Sequence, residues 1–337
     1  MHLADPQPKR PDFEVVVQAG KPLQPSPNFR TSIVPDKIFK YLTVAAALSV
    51  VAVVLLIVFE LVWHSRLAIS KFGFGFFAGS NWDPVSGEFG AFPFIYGTLV
   101  SSLIALIIAV PLGIGVAIFI NEMCPRRLRA LLSFTVELLA AIPSVIYGLW
   151  GIFVLVPYLR VHIDPPLKEY LGWTGLFTGP IYGIGMLAAG VILSIMVVPF
   201  ISSITREVML TVPQNQREGV LALGATQWEM IRIGILRNAR VGIIGGIILG
   251  LGRALGETMA VTMVIGNRPE IAKSLFAPGY TMASMIANEF TEATGRLYLS
   301  AIIEIGLALF LLTLVVNALA RLLVWMTTRG SPSRVYG

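Results

Sequence analysis

Six long apolar runs constrain the fold of this chain more than any other feature. About 20 helical residues cross the hydrocarbon core of a bilayer, and every run is longer than that. Only 13% of the 337 residues are charged and the mean hydropathy is +0.78, whereas soluble domains carry roughly 25% charged residues. The sequence therefore predicts an all-α polytopic membrane protein with six transmembrane helices. The predicted spans are residues 41–63, 97–120, 130–158, 181–203, 241–265 and 297–325.

Lysine and arginine predict the orientation, because they gather on the cytoplasmic side of membrane proteins. Six spans place both termini on one side. With both termini in the cytoplasm, seventeen of the Lys and Arg residues lie inside and seven outside. We therefore expect a multi-pass protein of the cell (inner or plasma) membrane, surrounded by lipid, with both termini cytoplasmic. The net charge of +6 then reflects topology, and no nucleic-acid partner is expected.

Three segments follow from this pattern. Residues 1–36 contain seven of the 21 prolines, which favours a disordered cytoplasmic tail. No early apolar stretch with a small-residue cleavage site follows it, so no cleaved signal peptide is predicted. Residues 37–328 form the predicted transmembrane domain, and residues 329–337 form a cytoplasmic C-terminal tail.

The cytoplasmic loop 204–240 predicts two short helices joined at a glycine. Pro213 suits a helix start, and Gly224 suits the left-handed residue that ends a helix. Thr226 and Glu229 have the spacing of a capping box at the start of the next helix. The result is a compact knob with small residues at its corner, which a partner protein could approach closely; a plain helix lying on the lipid headgroups is the alternative. The small corner residues are Ala222, Gly224 and Ala225.

Arg253 stands near the middle of the fifth predicted span, with Glu257 four residues later. On a continuous helix the two side chains share one face and can meet. Arginine at the centre of a spanning helix costs about 2.5–3.5 kcal/mol, so both charges are expected in the bundle interior or along a water-filled path. The planar guanidinium matches phosphate oxygens bidentately. A buried ion pair that pins the fifth helix to a neighbour is the alternative.

Two other acidic residues fall inside predicted spans. Glu137 and Glu304 lie near the ends of the third and sixth spans, and we expect both carboxylates to reach interfacial water. Outside the membrane, residues 71–84 are aromatic-rich, which is typical of an interfacial belt. Residues 281–293 predict a short amphipathic helix.

Familiar catalytic motifs are absent from the sequence. It contains no G-x-x-x-x-G-K-[ST] phosphate loop, no G-x-S-x-G and no H-E-x-x-H, so this chain is not expected to hydrolyse ATP or to act as an enzyme. The single cysteine and three scattered histidines have no metal-ligand spacing. We expect no cofactor and no metal.

Several stretches resemble one transporter family. Residues 96–122, 137–151, 251–267 and 284–290 are similar, in the same order, to the C-type permease of the Pst phosphate ABC importers, and the likeness covers about residues 90–325. The spacing of Glu218, Gly224 and Leu236 resembles the EAA loop of ABC importer permeases. Four positions depart from that loop motif: Gly219, Val220, Gly234 and Arg237.

The resemblance implies a type I ABC importer permease that lets phosphate pass Arg253 and Glu257. It implies a homologous second permease, an external phosphate-binding protein and two ATP-binding subunits. Those subunits would dock on Glu218, Leu221, Ala222, Gly224, Ala225 and Thr226. The alternatives are a permease for another oxyanion such as sulfate or molybdate, an ion-coupled secondary carrier, and a membrane scaffold.

Overall fold

The structure is a computed structural model that describes the backbone of residues 33–328 and the side chains of residues 37–326. Helix α1 (Ile33–Phe72) begins inside the predicted 1–36 tail. Its proline, Pro35, falls in the first turn, where no intrahelical donor is needed. The rest of that tail and the predicted 329–337 tail lie outside the described residues.

The chain divides into two compact units within α1, between Leu55 and Leu56. Of the first unit, the structure describes the N-terminal part of α1, whose side chains from 37 onwards are exposed and largely apolar. The second unit contains every later element. In chain order these are α2 (Gly75–Ala78), β1 (Trp82–Asp83), β2 (Glu88–Phe89), α3 (Phe92–Ile118), α4 (Arg126–Ala141), α5 (Ser144–Trp150), α6 (Val156–Tyr158), α7 (Asp164–Leu171), α8 (Met186–Leu210), α9 (Gln214–Ala222), α10 (Gln227–Glu229), α11 (Arg237–Gly256), α12 (Met259–Val264), α13 (Met282–Glu289) and α14 (Arg296–Thr328).

Six helical stretches within the described residues are long and apolar enough to span a membrane, which confirms the predicted number. Three of them continue through π-helical turns, which are short insertions in an α-helix. The stretches are Lys37–Phe72, Phe92–Met123, Ser144–Thr174, Met186–Leu210, Gln227–Gly256 and Arg296–Met326.

The prediction of one continuous helix over residues 130–158, the third span, is wrong. α4 ends at Ala141, Ile142 is extended (φ −64°, ψ 130°), and α5 starts after Pro143. A proline disfavours helical backbone in the residue before it, which accounts for the break. The spanning helix begins after Pro143 and continues to Thr174, so part of the predicted outer loop is helical.

α4 is a separate amphipathic helix with arginines in its first turn. One of its faces is apolar and exposed, with Leu131 and Phe134 about 60% exposed. Its ends are held by side chains: Arg129 Nη2 donates to the carbonyl of Asn121 at 2.5 Å, and Glu137 pairs with Arg206 of α8 at 2.8 Å. These contacts fix α4 against the neighbouring spans.

The spans approach each other closely at glycines, and α8 lies at the centre of this packing. A Cβ at Gly113 of α3 would lie 2.9 Å from the Ile201 side chain, and a Cβ at Gly190 of α8 would lie 2.4 Å from Ile104. A larger residue at either position would push α3 away from α8. α11 packs on the same helix through Gly250, opposite Val197.

Candidate functional site

Arg253 lies in the last turn of α11, within the membrane-spanning part of the chain. About 18 Å of helix, at 1.5 Å per residue, separates it from Val241. The residue is partly buried, its guanidinium carbon lies 5.2 Å from the centre of the Phe200 ring, and its Nε is buried without a hydrogen-bond partner. The guanidinium therefore stacks on an aromatic face and keeps a donor unused.

The predicted ion pair between Arg253 and Glu257 is wrong, because the helix stops between them. α11 ends at Gly256, and Glu257 has an extended backbone (φ −69°, ψ 129°). Its Oε1 accepts a 3.3 Å hydrogen bond from the amide of Ala260, at the start of α12. A negative charge is favourable at a helix N-terminus. Over residues 37–326, no carboxylate oxygen forms an ion pair with Arg253 within 4.0 Å.

The break at Pro143 lies beside the break at Glu257. A Cβ at Gly148 of α5 would lie 3.1 Å from the Cα of Ala260 in α12, so the two helices are in close backbone contact. Both interruptions therefore belong to one region of the bundle. Sequence reasoning missed this region because it treated both spans as continuous helices.

Tyr147 connects that region to α4. Its residue is 8% exposed, and its hydroxyl donates a 2.8 Å hydrogen bond to the carbonyl of Leu139 at the end of α4. Tyr147 also packs in the same apolar cluster as Ala260 of α12. Tyr147 thus joins the C-terminal end of α4 to the region of the two helix breaks.

The loop 204–240 has the two predicted helices. α9 ends before Gly224, which has a φ of +86° and whose amide donates to the carbonyl of Leu221 at 2.9 Å. Thr226 and Glu229 form the predicted capping box, with Thr226 N donating to Glu229 Oε2 at 2.8 Å. Local sequence was sufficient here, because each of these contacts joins residues at most three positions apart.

The corner of the knob is exposed and partly apolar. Among the predicted docking residues, Ala225 is partly buried, and the exposed ones are Glu218, Leu221, Ala222, Gly224 and Thr226. Two apolar side chains that the prediction left out are more prominent, since Leu223 is 89% exposed and Trp228 is 60% exposed. An exposed apolar patch rimmed by polar residues is typical of a protein interaction site.

Arg217 attaches α9 to two other parts of the chain. Its Nη1 pairs with Glu122 Oε1 at 2.8 Å, and its Nη2 donates to the carbonyl of Met209 in α8 at 2.8 Å. Glu122 follows α3, and its side chain is only 8% exposed. The knob is therefore fixed to the ends of α3 and α8 as well as to the helix that leads into α11.

The two acidic residues predicted to reach interfacial water differ in the structure. Glu137 is exposed and pairs with Arg206, as a residue at the interface can. The prediction for Glu304 is wrong: it is 2% exposed, and its Oε2 has no hydrogen-bond partner. The prediction used only the position of Glu304 near the end of the span. The side chain lies on a face of α14 that packs against other helices, so it does not reach water.

The predicted short helix in 281–293 is α13 (Met282–Glu289). The helix is present as predicted, and its Met282 and Met285 side chains are fully buried. Glu289 Oε2 accepts hydrogen bonds from Trp82 Nε1 at 2.8 Å and from the Tyr298 hydroxyl at 2.7 Å. Burial raises the pKa of Tyr280 to about 12, and its hydroxyl accepts a 3.1 Å hydrogen bond from Asn288 Nδ2.

Comparison with known proteins decides the family. Residues 109–325 match the binding-protein-dependent transport system inner membrane components. The phosphate transport system permease protein PstC of Mesorhizobium japonicum is 50% identical over 85% of this chain and 89% of its own length. The PstC proteins of Xylella fastidiosa (47% identical, 87% of this chain, 92% of the relative) and Haemophilus influenzae (46%, 86% and 93%) are similar over the same extent.

The chain belongs to the PstC-type permeases of this family. The resemblance read from the sequence is thereby confirmed, and the permease is a multi-pass protein of the inner membrane. The match extends over α11, so Arg253 and the knob both lie within the family region.

Solved structures agree on the fold. A bacterial ABC transporter involved in the import of alginate has a TM-score of 0.56 at 18% identity, covering 86% of the permease and 98% of that chain. A bacterial alginate ABC transporter in complex with an alginate-pentasaccharide-bound periplasmic protein also has a TM-score of 0.56 at 18% identity, covering 85% and 94%. The permease therefore has the architecture of an ABC importer permease of type I.

Proposed function

We propose that the permease conducts phosphate in an ATP-driven importer, and that Arg253 is the group on its path that the anion contacts. The observation that carries the proposal is the state of this side chain: a partly exposed cation inside a spanning segment, with a buried donor unused and no ion-pair partner among the described carboxylates. Facing lipid, such a charge would cost about 2.5–3.5 kcal/mol. A water-filled path removes that cost, and the names of the curated relatives support phosphate as the anion.

Arginine suits this task for a chemical reason. Its guanidinium stays charged and presents paired donors that match two oxygens of a phosphate. Glu257 lies near the proposed path, but its carboxylate accepts a hydrogen bond from the Ala260 amide. This bond holds the start of α12 in place. A carboxylate in direct contact with the substrate would repel it, and more strongly at low dielectric than in water. We therefore assign ligand contact to Arg253 and support to Glu257.

The proposed assembly includes partner proteins, and the knob is the surface proposed for the ATP-binding subunits. The exposed knob, with Leu223 and Trp228 at its corner, is the proposed docking site for the ATP-binding subunits, which supply the hydrolysis that this chain has no phosphate loop to perform. Two such subunits, a homologous second permease and an external phosphate-binding protein complete the assembly. In this topology both termini are cytoplasmic.

A continuous helix supports coupling between the knob and Arg253. The helical stretch Gln227–Gly256 begins at the capping box and ends three residues beyond Arg253. At 1.5 Å per residue it is about 45 Å long. A displacement of the knob therefore moves the guanidinium, and the two positions of the helix supply the differential contacts that a transport cycle needs.

The test is ATP-dependent phosphate uptake into proteoliposomes that contain the permease with its second permease and ATP-binding subunits, supplied with the binding protein. Arg253→Ala is expected to abolish uptake while the complex still assembles. Arg160→Ala, which removes an exposed arginine from another span, is the matched control and should transport normally. Near-normal uptake by Arg253→Ala would overturn the proposed role.

The same vesicles separate the remaining alternatives. Excess sulfate or molybdate should leave phosphate uptake unchanged, and strong competition by either would assign the path to that oxyanion. Uptake that survives ATP removal but collapses with an ion gradient would identify a secondary carrier.

A further inference from the structure

A groove with two arginines lies where α1 meets the start of α14, at the end that the proposed topology places on the outer face. Its volume is about 270 Å³. The charged and aromatic part is formed by Trp63, Arg66 and Arg296, and the apolar part by Leu67, Leu299 and Ile303. We refer to these six residues as the outer groove.

Hydrogen bonds between the two helices give the outer groove a fixed floor. Ser300 Oγ donates to the carbonyl of His64 at 2.8 Å and accepts from the amide of Ala68 at 3.2 Å. Ser300 is 2% exposed and Ala68 is fully buried. These contacts lock α14 against the outer part of α1, so the groove is a built feature of the fold.

The cations of the outer groove are not neutralised by the protein. Within residues 37–326, neither Arg66 nor Arg296 forms an ion pair with a carboxylate within 4.0 Å. The nearby carboxylate of Glu60 contacts His64 instead, with Glu60 Oε2 3.1 Å from His64 Nδ1. Arg66 lies over the Trp63 ring, with its guanidinium carbon 4.5 Å from the ring centre. Two exposed guanidinium groups beside one groove favour an anion, and phosphate matches their geometry.

The depth of the outer groove favours an amphiphile over a free ion. Arg296 is the first residue of α14, and Ile303 lies about 10 Å further along that helix at 1.5 Å per residue. Along α14 the groove therefore runs from a cationic rim at Arg296 to the apolar side chains of Leu299 and Ile303. Tryptophan and arginine at this level are typical of the membrane–water interface.

We propose that the outer groove binds an anionic phospholipid, with the headgroup phosphate between Arg66 and Arg296 and an acyl chain along Leu299 and Ile303. This site is independent of the transport path, since none of its residues contacts Arg253 or the knob. Attraction of an anionic lipid changes binding by about fivefold for each arginine, so removal of both is expected to weaken lipid retention by on the order of 25-fold.

The test is native mass spectrometry of the full-length purified permease, delipidated and titrated with phosphatidylglycerol or phosphatidylcholine. Wild type should retain phosphatidylglycerol in preference to phosphatidylcholine, and the Arg66→Gln/Arg296→Gln double variant should lose that preference. Arg160→Gln/Arg268→Gln removes the same charge from two other exposed outer positions and should behave as wild type.

Four results would overturn the proposal. If the control variant lost the preference for phosphatidylglycerol equally, total charge alone would attract the lipid. If wild type retained the two lipids equally, the groove would not recognise an anionic headgroup. Displacement of the lipid by millimolar inorganic phosphate would assign the arginines to free phosphate. Ile303→Trp, which fills the groove without changing a charge, should also lower lipid retention; unchanged retention would place the lipid elsewhere. Matching unfolding midpoints without lipid would show that the variants are folded.

Discussion

The Tyr147 hydroxyl donates a 2.8 Å hydrogen bond to the carbonyl of Leu139, across the helix break at Pro143. This bond joins the C-terminal end of α4 to α5, and Tyr147 packs in the same apolar cluster as Ala260 of α12. α4 is in turn held to α8 by the Glu137–Arg206 pair. The region of the two helix breaks is thus connected through α4 to α8 by side chains.

Tyr147→Phe keeps the ring and removes the donor. A typical net hydrogen bond contributes about 0.5–1.5 kcal/mol, so we expect the maximal rate of ATP-dependent uptake to fall by about 2–10-fold, with a smaller change in the phosphate concentration at half-maximal rate. Tyr158→Phe is the control, because Tyr158 is exposed and stacks on His162 through its ring. Equal uptake rates for the two variants would show that the Tyr147 hydroxyl does not contribute to transport.

Arg253→Lys tests whether charge alone is sufficient. Lysine keeps the charge but lacks the planar paired donors, so uptake is expected to fall at least tenfold while assembly with the ATP-binding subunits is unchanged. The comparison is initial uptake rate per assembled complex. Full activity of the lysine variant would show that a point charge serves as well as the guanidinium fork.

Glu257→Gln distinguishes helix capping from ion pairing. Glutamine keeps an oxygen that can accept from the Ala260 amide, so we expect uptake within about twofold of wild type. Glu257→Ala removes the acceptor, and loss of a cap costs about 0.5–2 kcal/mol, which should lower the unfolding midpoint of the purified permease. If the glutamine variant were as impaired as the alanine variant, the negative charge itself would be required.

Gly224→Ala strains the corner of the knob. A non-glycine residue in the left-handed region costs about 1–2 kcal/mol, although a Cβ at Gly224 would meet no atom within 4 Å. We expect weaker co-purification of the ATP-binding subunits and slower uptake, and Gly224→Trp should uncouple them. Gly219→Ala, inside α9 and equally open, should have no such effect. Unchanged co-purification with Gly224→Trp would mean that the knob only lies on the membrane.

The sequence predicted the features that depend on neighbouring residues. Gly224 and the Thr226–Glu229 capping box act within a few positions, and an apolar run of sufficient length crosses a membrane wherever it is packed. The errors involve contacts between distant segments. The helix break after Gly256 accompanies the contact of Gly148 with Ala260, and apolar periodicity did not show which face of α14 carries Glu304. Arg217 and Glu122 lie 95 positions apart, so no local pattern could have paired them.

The end of α11 just beyond Arg253 has a mechanical consequence. A rigid rod that stops there carries its arginine with it, while α12 remains attached to α5 through the Gly148 contact. In the proposed transport cycle, Arg253 would therefore move with α11 while Glu257 and α12 keep their position on α5.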